Sequence, residues 1–263
     1  MTDPDGPDAA TLAAFGVAGL PLARLSGGRG RTWLAGDVVL RPHDGAVVTD
    51  WRAEVLASLE HTSAFRTPRP LTTIDGSWRS GSWEAWQWLP GHADETRVAD
   101  VIRAGTAFHR AIAHLDRPAF LDDEDDDDGW SRADRMAWGE AELPQDPTLD
   151  RLATAFRPVG APAQLVHGDL LGNVLFADGQ PPTVIDWPPY WRPAGFGTAV
   201  AAVDAVCWHG VPVTALGALG DGTADWRQLL VRALTFRIAT LHLHGAWDAT
   251  SVATHRPVVD ALV

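Results

Sequence analysis

Two neighbouring segments set the reading of the whole chain. They are Leu165-Val166-His167-Gly168-Asp169-Leu170-Leu171-Gly172-Asn173-Val174-Leu175-Phe176 and Thr183-Val184-Ile185-Asp186-Trp187. An apolar run ends in His-Gly-Asp, an Asn follows in a loop, and a second apolar run ends in Asp. Phosphoryl transfer from a nucleotide needs this inventory: one carboxylate for the acceptor hydroxyl, an amide oxygen for a magnesium ion, and a second carboxylate bridging that ion to the phosphates. Magnesium prefers hard oxygen ligands and keeps much of its water, so two side-chain oxygens and the phosphates suffice. The plainer reading is a strand-turn-strand hairpin whose polar residues cap turns, but three spaced polar side chains between two apolar runs favour the chemical one.

Outward from this segment, composition sets limits. The chain has 263 residues, 46% hydrophobic, enough for one two-part domain with a substantial core. Its single cysteine, Cys207, permits no internal disulfide and fits a reducing cytoplasm. The polar, acidic start lacks the features of a signal peptide, and no apolar run reaches membrane-span length. A net charge of −13 disfavours a nucleic-acid surface. All 21 basic residues are arginine. Most of the 13 tryptophans are expected in the core.

The local pattern predicts strands at 22–26, 32–34 and 38–41, the first two joined by Gly27-Gly28-Arg29-Gly30. A helix is expected from Trp51 to about Glu60, capped by Thr49-Asp50, then a hairpin of 70–74 with 83–89 around Asp75-Gly76. Pro90-Gly91 marks the boundary between a part spanning 1–90 and a part spanning 91–263. Val98, Val101, Ile102, Phe108, Ile112 and Leu115 recur at helical spacing, predicting a long helix over 94–115. Further helices are expected at 130–142, 148–156, 199–208 and 225–244.

His167-Gly168-Asp169, Asn173 and Ile185-Asp186-Trp187 resemble the catalytic core of aminoglycoside phosphotransferases and related choline-kinase-like enzymes. The resemblance runs through nearly the whole chain in order, and this segment is its specific part. It implies an α+β, two-lobed, protein-kinase-like fold: a small antiparallel β-sheet lobe with one helix, then a larger, mainly helical lobe. It implies ATP and Mg2+ as cofactors and a small-molecule hydroxyl as acceptor. By position, Asp169 resembles the catalytic base, Asn173 and Asp186 the metal ligands, and Trp187 the aromatic that follows. The family pattern puts the Asn five residues after the Asp, whereas Asn173 follows Asp169 by four. Gly172 supplies backbone freedom for the shorter loop.

The glycine turn at Gly27, Gly28 and Gly30 lies between two strands, where backbone amides can form an anion nest. Glycine turns between strands are common, so its weight comes from lying upstream of the catalytic segment. By the resemblance, the next strand should bring a lysine to the phosphates beside a helix carboxylate. Arg41 stands there, with Glu54 as its expected partner, and an ordinary surface ion pair is the plainer reading. Arg keeps its charge but is planar and bulkier than lysine. Gln87, Trp88 and Leu89 fall where backbone groups hold the adenine in this family, while the Trp83, Trp86 and Trp88 pattern suits a packed strand.

The run Asp122–Asp128 reads as a solvated loop or as a lure for a cationic acceptor, such as an amino sugar or choline-like amine. Pro188–Pro193 is expected to form a rigid wall whose Tyr190, Trp191 and Arg192 line the acceptor site, and Asp204 is a remnant of a further family motif. His109 is read as a packed histidine. His242 and His244 point to different faces of a helix, which argues against zinc. No Gly-x-Ser-x-Gly elbow is present. The expectation is a cytoplasmic, ATP- and magnesium-dependent small-molecule kinase, its oligomeric state open. The alternative is a pseudokinase that binds nucleotide or a small ligand without transfer, a reading that begins at Arg41.

Overall fold

Register and alternation build the first sheet. Strands and helices are numbered along the chain. β1 (Leu22–Arg24), β2 (Trp33–Ala35), β3 (Val38–Pro42), β4 (Pro70–Leu71), β5 (Arg79–Ser80) and β6 (Trp83–Gln87) form an antiparallel sheet ordered β1-β2-β3-β6-β4, with β5 also on β6. Trp33 faces Leu40, and Leu40 faces Ala85, so these apolar side chains share one side of the sheet. Phe15 and Val17, just beyond helix α1 (Ala9–Ala14), complete that core. The opposite side carries Arg41 directly across from Glu84.

The computed structural model describes residues 6–26, 30–122 and 128–263. They divide into two units: one runs to Gly91 and also takes Ala177–Ile185, the other holds His92–Phe176 and Asp186–Val263. A single cut near residue 90 misses the return of Ala177–Ile185 to the first unit. Arg66 explains it: its carbonyl accepts from Val184 N at 2.8 Å, beside the short strand β10 (Thr183–Val184), and its side chain donates to Thr183 Oγ1 and Gln180 Oε1, each at 2.8 Å.

Helix α2 (Ala46–Ser58) starts earlier than expected. Gly45, at φ +114, makes the entry turn. Thr49 is therefore buried inside the helix, not a cap, and Asp50 pairs with Arg79 at 2.8 Å.

In the second unit, β7 (His92–Ala93) pairs with β9 (Val174–Phe176), and β8 (Ala163–His167) pairs with β11 (Pro189–Pro193). Most of Pro188–Pro193 is therefore a strand. Pro189–Pro193 is the ladder partner of the strand that ends in His167, Tyr190 is buried, and Arg192 is locked to Asp134 and Glu140 at 2.6 and 2.7 Å. Around these strands lie α3 (Val98–Ile112), α4 (Gly129–Ala137), α5 (Pro147–Thr154), α6 (Gly195–Trp208), α7 (Leu216–Leu219), α8 (Trp226–Leu243) and α9 (Ala249–Leu262). Buried Val98, Val101, Gly105, Phe108 and Ile112 form the inward stripe of α3. Helices α6 and α8 are buried almost all round, as central helices of a mainly helical unit must be. Helix α9 contains Pro257, which hides it from a pattern search, and Asp248 caps its start by accepting from Ser251 N at 2.8 Å. Among the described residues no helix is long and apolar enough to cross a membrane.

Three glycines bring elements onto the loop after β8. A Cβ on Gly105 of α3 would lie 2.3 Å from Leu170, one on Gly168 would lie 2.4 Å from the Tyr190 ring, and one on Gly197 of α6 would lie 2.1 Å from the His167 carbonyl oxygen. The last contact is with backbone and cannot be relieved by a rotamer change. Gly197→Ala should therefore destabilise the protein by at least about 2 kcal/mol, read as a fall of several degrees in Tm. Gly217→Ala, where a Cβ meets nothing within 4 Å, is the control and should melt with the wild type.

Candidate active site

Strand β8 ends in buried His167, and the hydrogen bonds around it shape the following loop. His167 N donates to His109 Nε2 at 2.9 Å. That fixes the His109 tautomer: Nε2 accepts, so Nδ1 carries the proton and donates to Ala194 O at 3.0 Å. The imidazole of His109 thus ties α3, β8 and the residue before α6 together. Asp169 N donates to His167 Nδ1 at 3.1 Å and turns the chain into the loop. Asn173 closes it: its Nδ2 donates to Asp169 O at 2.8 Å and to Asp169 Oδ2 at 3.2 Å. Gly172 sits at φ +87, a conformation strained for an L side chain, so the loop closes with Asn four residues after Asp.

Asp169 meets a partner that the sequence reading missed. Arg237 of α8 donates from Nη2 to Asp169 Oδ1 at 2.5 Å. The same guanidinium grips Asp204 of α6 through Nε at 2.8 Å and Nη2 at 2.5 Å. Arg237 and Asp204 are each 5% exposed, against 41% for Asp169. Burial opposes the charge on Arg237, but Asp204 and Asp169 outweigh it and raise the group above its ordinary value. A cavity of about 210 Å³ opens here, lined among others by Trp130, Asp169, Leu171, Trp208, Arg237 and Leu241.

Asp186 begins the return of the chain to this unit. It is exposed and stands at φ +50, which is costly for a residue other than glycine and recurs at sites under functional constraint. Next to it Trp187 is buried, donating Nε1–H to Val166 O at 3.1 Å and packing edge-on against Phe108 at 5.2 Å.

In the first unit, the carboxylate that Arg41 meets is Glu84, at 2.5 Å. This corrects the expectation of Glu54. Arg52 and Glu54 are two positions apart on α2 and so face opposite ways. Glu54 is exposed, while buried Arg52 reaches Glu84 Oε1 and Oε2 at 3.1 and 3.2 Å and Asp44 at 3.2 Å. The helix thus supplies the cation and the strand the carboxylate. Both guanidiniums lie near the Trp86 ring, at 5.7 and 6.0 Å.

Gly27 and Gly28 lie outside the described residues. Gly30 stands at φ +69, and its carbonyl accepts from Arg24 Nε. Gln87 N donates to Arg69 O and Trp88 N to Asp37 O, each at 2.8 Å, so those two amides already hold the sheet. Of the acidic run, 123–127 lies outside the described residues. Asp122 pairs with Arg117 at 2.6 Å, and Asp128 caps α4 by accepting from Ser131 N at 3.3 Å.

A sequence model described as the phosphotransferase enzyme family matches residues 22–239. The chain belongs to that family. No curated sequence relative matches it. Among solved structures it is similar to an aminoglycoside phosphotransferase from Alicyclobacillus acidocaldarius, at 16% identity and TM-score 0.61, covering 100% of this chain and 95% of the other. It is also similar to a microcompartment-associated aminopropanol kinase, at 16% identity and TM-score 0.60, covering 96% and 93%. A thermostable mutant of aminoglycoside phosphotransferase APH(4)-Ia, in a ternary complex with AMP-PNP and hygromycin B, matches at 16% identity and TM-score 0.58, covering 93% and 94%. At these identities the likeness establishes the fold, which is the α+β, protein-kinase-like fold of these phosphotransferases.

Arg237 and Asp204 did leave a trace in the sequence. Each is a lone charge in an apolar stretch, Leu234-Thr235-Phe236-Arg237-Ile238-Ala239 and Ala201-Ala202-Val203-Asp204-Ala205-Val206. A buried charge must be paired, so two such residues on helices that come together form a pair. What they pair over requires coordinates.

His109 gives this family member a testable acid sensitivity. Burial pushes its pKa down to about 3. The folded pKa lies below the ordinary value, so its stabilising effect is complete above the unfolded pKa and is lost as pH falls from about 6.5 towards 3. The loss should approach about 1.4 kcal/mol per pH unit in that window. Urea midpoints at pH 7, 6 and 5 should fall more steeply for the wild type than for His109→Gln; parallel curves would remove His109 from the acid response.

Proposed function

We propose that this chain is an ATP- and magnesium-dependent phosphotransferase that acts on a hydroxyl of a small molecule, working in the cytoplasm. The observation that carries the reading is the loop after β8 in a member of this family. There Asp169 is open to solvent on one side and held by Asn173 on the other. Asp169 accepts the proton of the acceptor hydroxyl. The acceptor oxygen bonds to the terminal phosphorus, the bond from that phosphorus to the bridging oxygen breaks, and the nucleoside diphosphate leaves with the electron pair. The cavity beside Asp169 is the acceptor's place. Amino sugars, aminoglycoside-like and choline-like alcohols are the classes to test, since a similar structure holds AMP-PNP with hygromycin B.

The residues fit a magnesium ion. Asn173 commits its Nδ2 to Asp169, which turns its Oδ1 the other way as an oxygen donor, and Asp186 offers an exposed carboxylate. When bound, magnesium would neutralise charge developing on the phosphates. Asp169→Ala should abolish transfer and leave nucleotide affinity within about threefold of wild type, because a base acts on the acceptor. Asp186→Ala should weaken nucleotide binding only when magnesium is present. Calorimetry checks both, and full turnover in the first variant, or in the second a nucleotide affinity equal to wild type both with and without magnesium, would remove that residue from its role.

Arg41 separates the proposal from its alternative, a protein that binds nucleotide without transfer. In an active enzyme Arg41→Ala should cut nucleotide affinity or turnover by at least about tenfold, since it removes a permanent charge from the phosphate region. Arg41→Lys should sustain turnover. The pseudokinase reading wins if nucleotide binds but neither wild type nor Arg41→Lys transfers phosphate to any acceptor in a screen of amino sugars and amino alcohols.

A further inference from the structure

The contact between Arg237 and Asp169 is unusual in where it comes from. The loop Gly168–Asn173 carries no basic residue, so the charge beside its carboxylate is delivered from α8, 68 positions later in the chain. Delivering it requires burying a guanidinium and a carboxylate, Asp204, in the middle of two apolar helices. Taking two charges out of water costs several kcal/mol for each ion, and apolar residues of the same volume often serve stability as well or better. Stability alone is therefore a poor reason for the pair.

The geometry supplies another. Asp204 takes the Nε and Nη2 edge of Arg237 in a fork, which fixes the plane of the guanidinium. Trp130 and Trp208 flank it, their centroids 5.7 and 6.0 Å from Cζ. So fixed, Nη2 reaches Asp169 Oδ1 while Asn173 Nδ2 reaches Oδ2. Each oxygen of Asp169 thus has one partner, and the torsion of the carboxylate is set from both ends. A carboxylate oxygen has two acceptor positions, so each keeps one for an incoming hydroxyl.

We infer that Arg237, anchored by Asp204, is a positioning residue that aims the Asp169 carboxylate at the acceptor hydroxyl. The inference rests on the phosphotransferase reading for its consequence and on the Asp204–Arg237–Asp169 geometry for its substance. Misaiming a reacting group by about an ångström costs on the order of 100-fold in rate.

The test uses a variant built to keep its fold. Arg237→Met with Asp204→Leu removes both buried charges together, so neither is left unpaired, and it should melt within a few degrees of wild type. Its nucleotide Kd, measured with MgATP, should stay within about twofold, while kcat falls at least about 30-fold with MgATP and water as the acceptor. Arg237→Lys should fall similarly, because an ammonium cannot fork to Asp204 and still present a fixed donor to Asp169. A kcat within twofold of wild type in the folded double variant overturns the inference. So does an unchanged kcat with a raised KM for whichever acceptor the screen finds, since that is the mark of substrate binding. Crystal structures of wild type and the double variant provide an arm that needs no turnover. The inference expects the Asp169 carboxylate to turn away from its wild-type position, and an unmoved carboxylate overturns it. A wild type that transfers phosphate to neither water nor any acceptor counts against the proposed function alone, and the two structures then decide the inference.

Discussion

Much of the second unit depends on one neutral imidazole. His109 accepts from the backbone of β8 and donates to the backbone just before α6, so it must hold one proton and no more. Burial enforces that state. Protonation would put two donors on the ring, turn the His167 N–H from partner to rival, and leave a charge with no counter-ion in an apolar interior. Everything downstream inherits this constraint. His167 fixes where β8 ends, Asp169 N leans on His167 Nδ1, and Asn173 folds back on Asp169.

Charge is handled with arginine throughout, and that choice has structural effects. A lysine-free chain cannot place a compact ammonium at a phosphate site, so every cation arrives as a plane with several donors. In the first unit two such planes, Arg41 of β3 and Arg52 of α2, converge on Glu84 of β6. In the second unit Arg237 serves Asp169 and Asp204 at once, and Arg192 serves Asp134 and Glu140. A guanidinium can do this because its donors diverge in fixed directions, and these clusters rely on it.

The fold and the loop after β8 were legible in the sequence for different reasons. Helices α3, α4 and α5 announce themselves through apolar spacing, α6 and α8 through apolar content along most of their length, and His-Gly-Asp with a spaced Asn and Asp is specific enough to carry a resemblance. Helix α2 was placed too late because Thr49-Asp50 looks like a cap, and only the left-handed turn at Gly45 reveals the true start. The prolines of Pro188–Pro193 predict a rigid wall but not that Pro189–Pro193 is a strand. It is tolerated because β8 and β11 make a two-stranded ladder with free edges for the prolines. The expectation of Glu54 as the partner of Arg41 comes from the resemblance, which puts the carboxylate on the helix; here Glu84 of β6 supplies it, and α2 turns Arg52 inward instead. What Arg237 pairs with is hidden for a deeper reason. Its partners lie 33 and 68 positions away, and no local pattern links them.

The contacts at Gly105, Gly168 and Gly197 bear on how such a protein can change over evolutionary time. Where a single added methyl would strike backbone, an aromatic ring or a core leucine, neighbouring positions are bound to vary together or not at all. The loop bearing Asp169 therefore has little steric room for side chains at the glycines that hold it. The cavity wall is different. Trp208 is 46% exposed, with its ring edge-on to His255 at 5.4 Å. On the proposed reading of the cavity as the acceptor's place, a library aimed at new acceptors belongs at lining positions such as Trp208 and Leu241 and not in the loop.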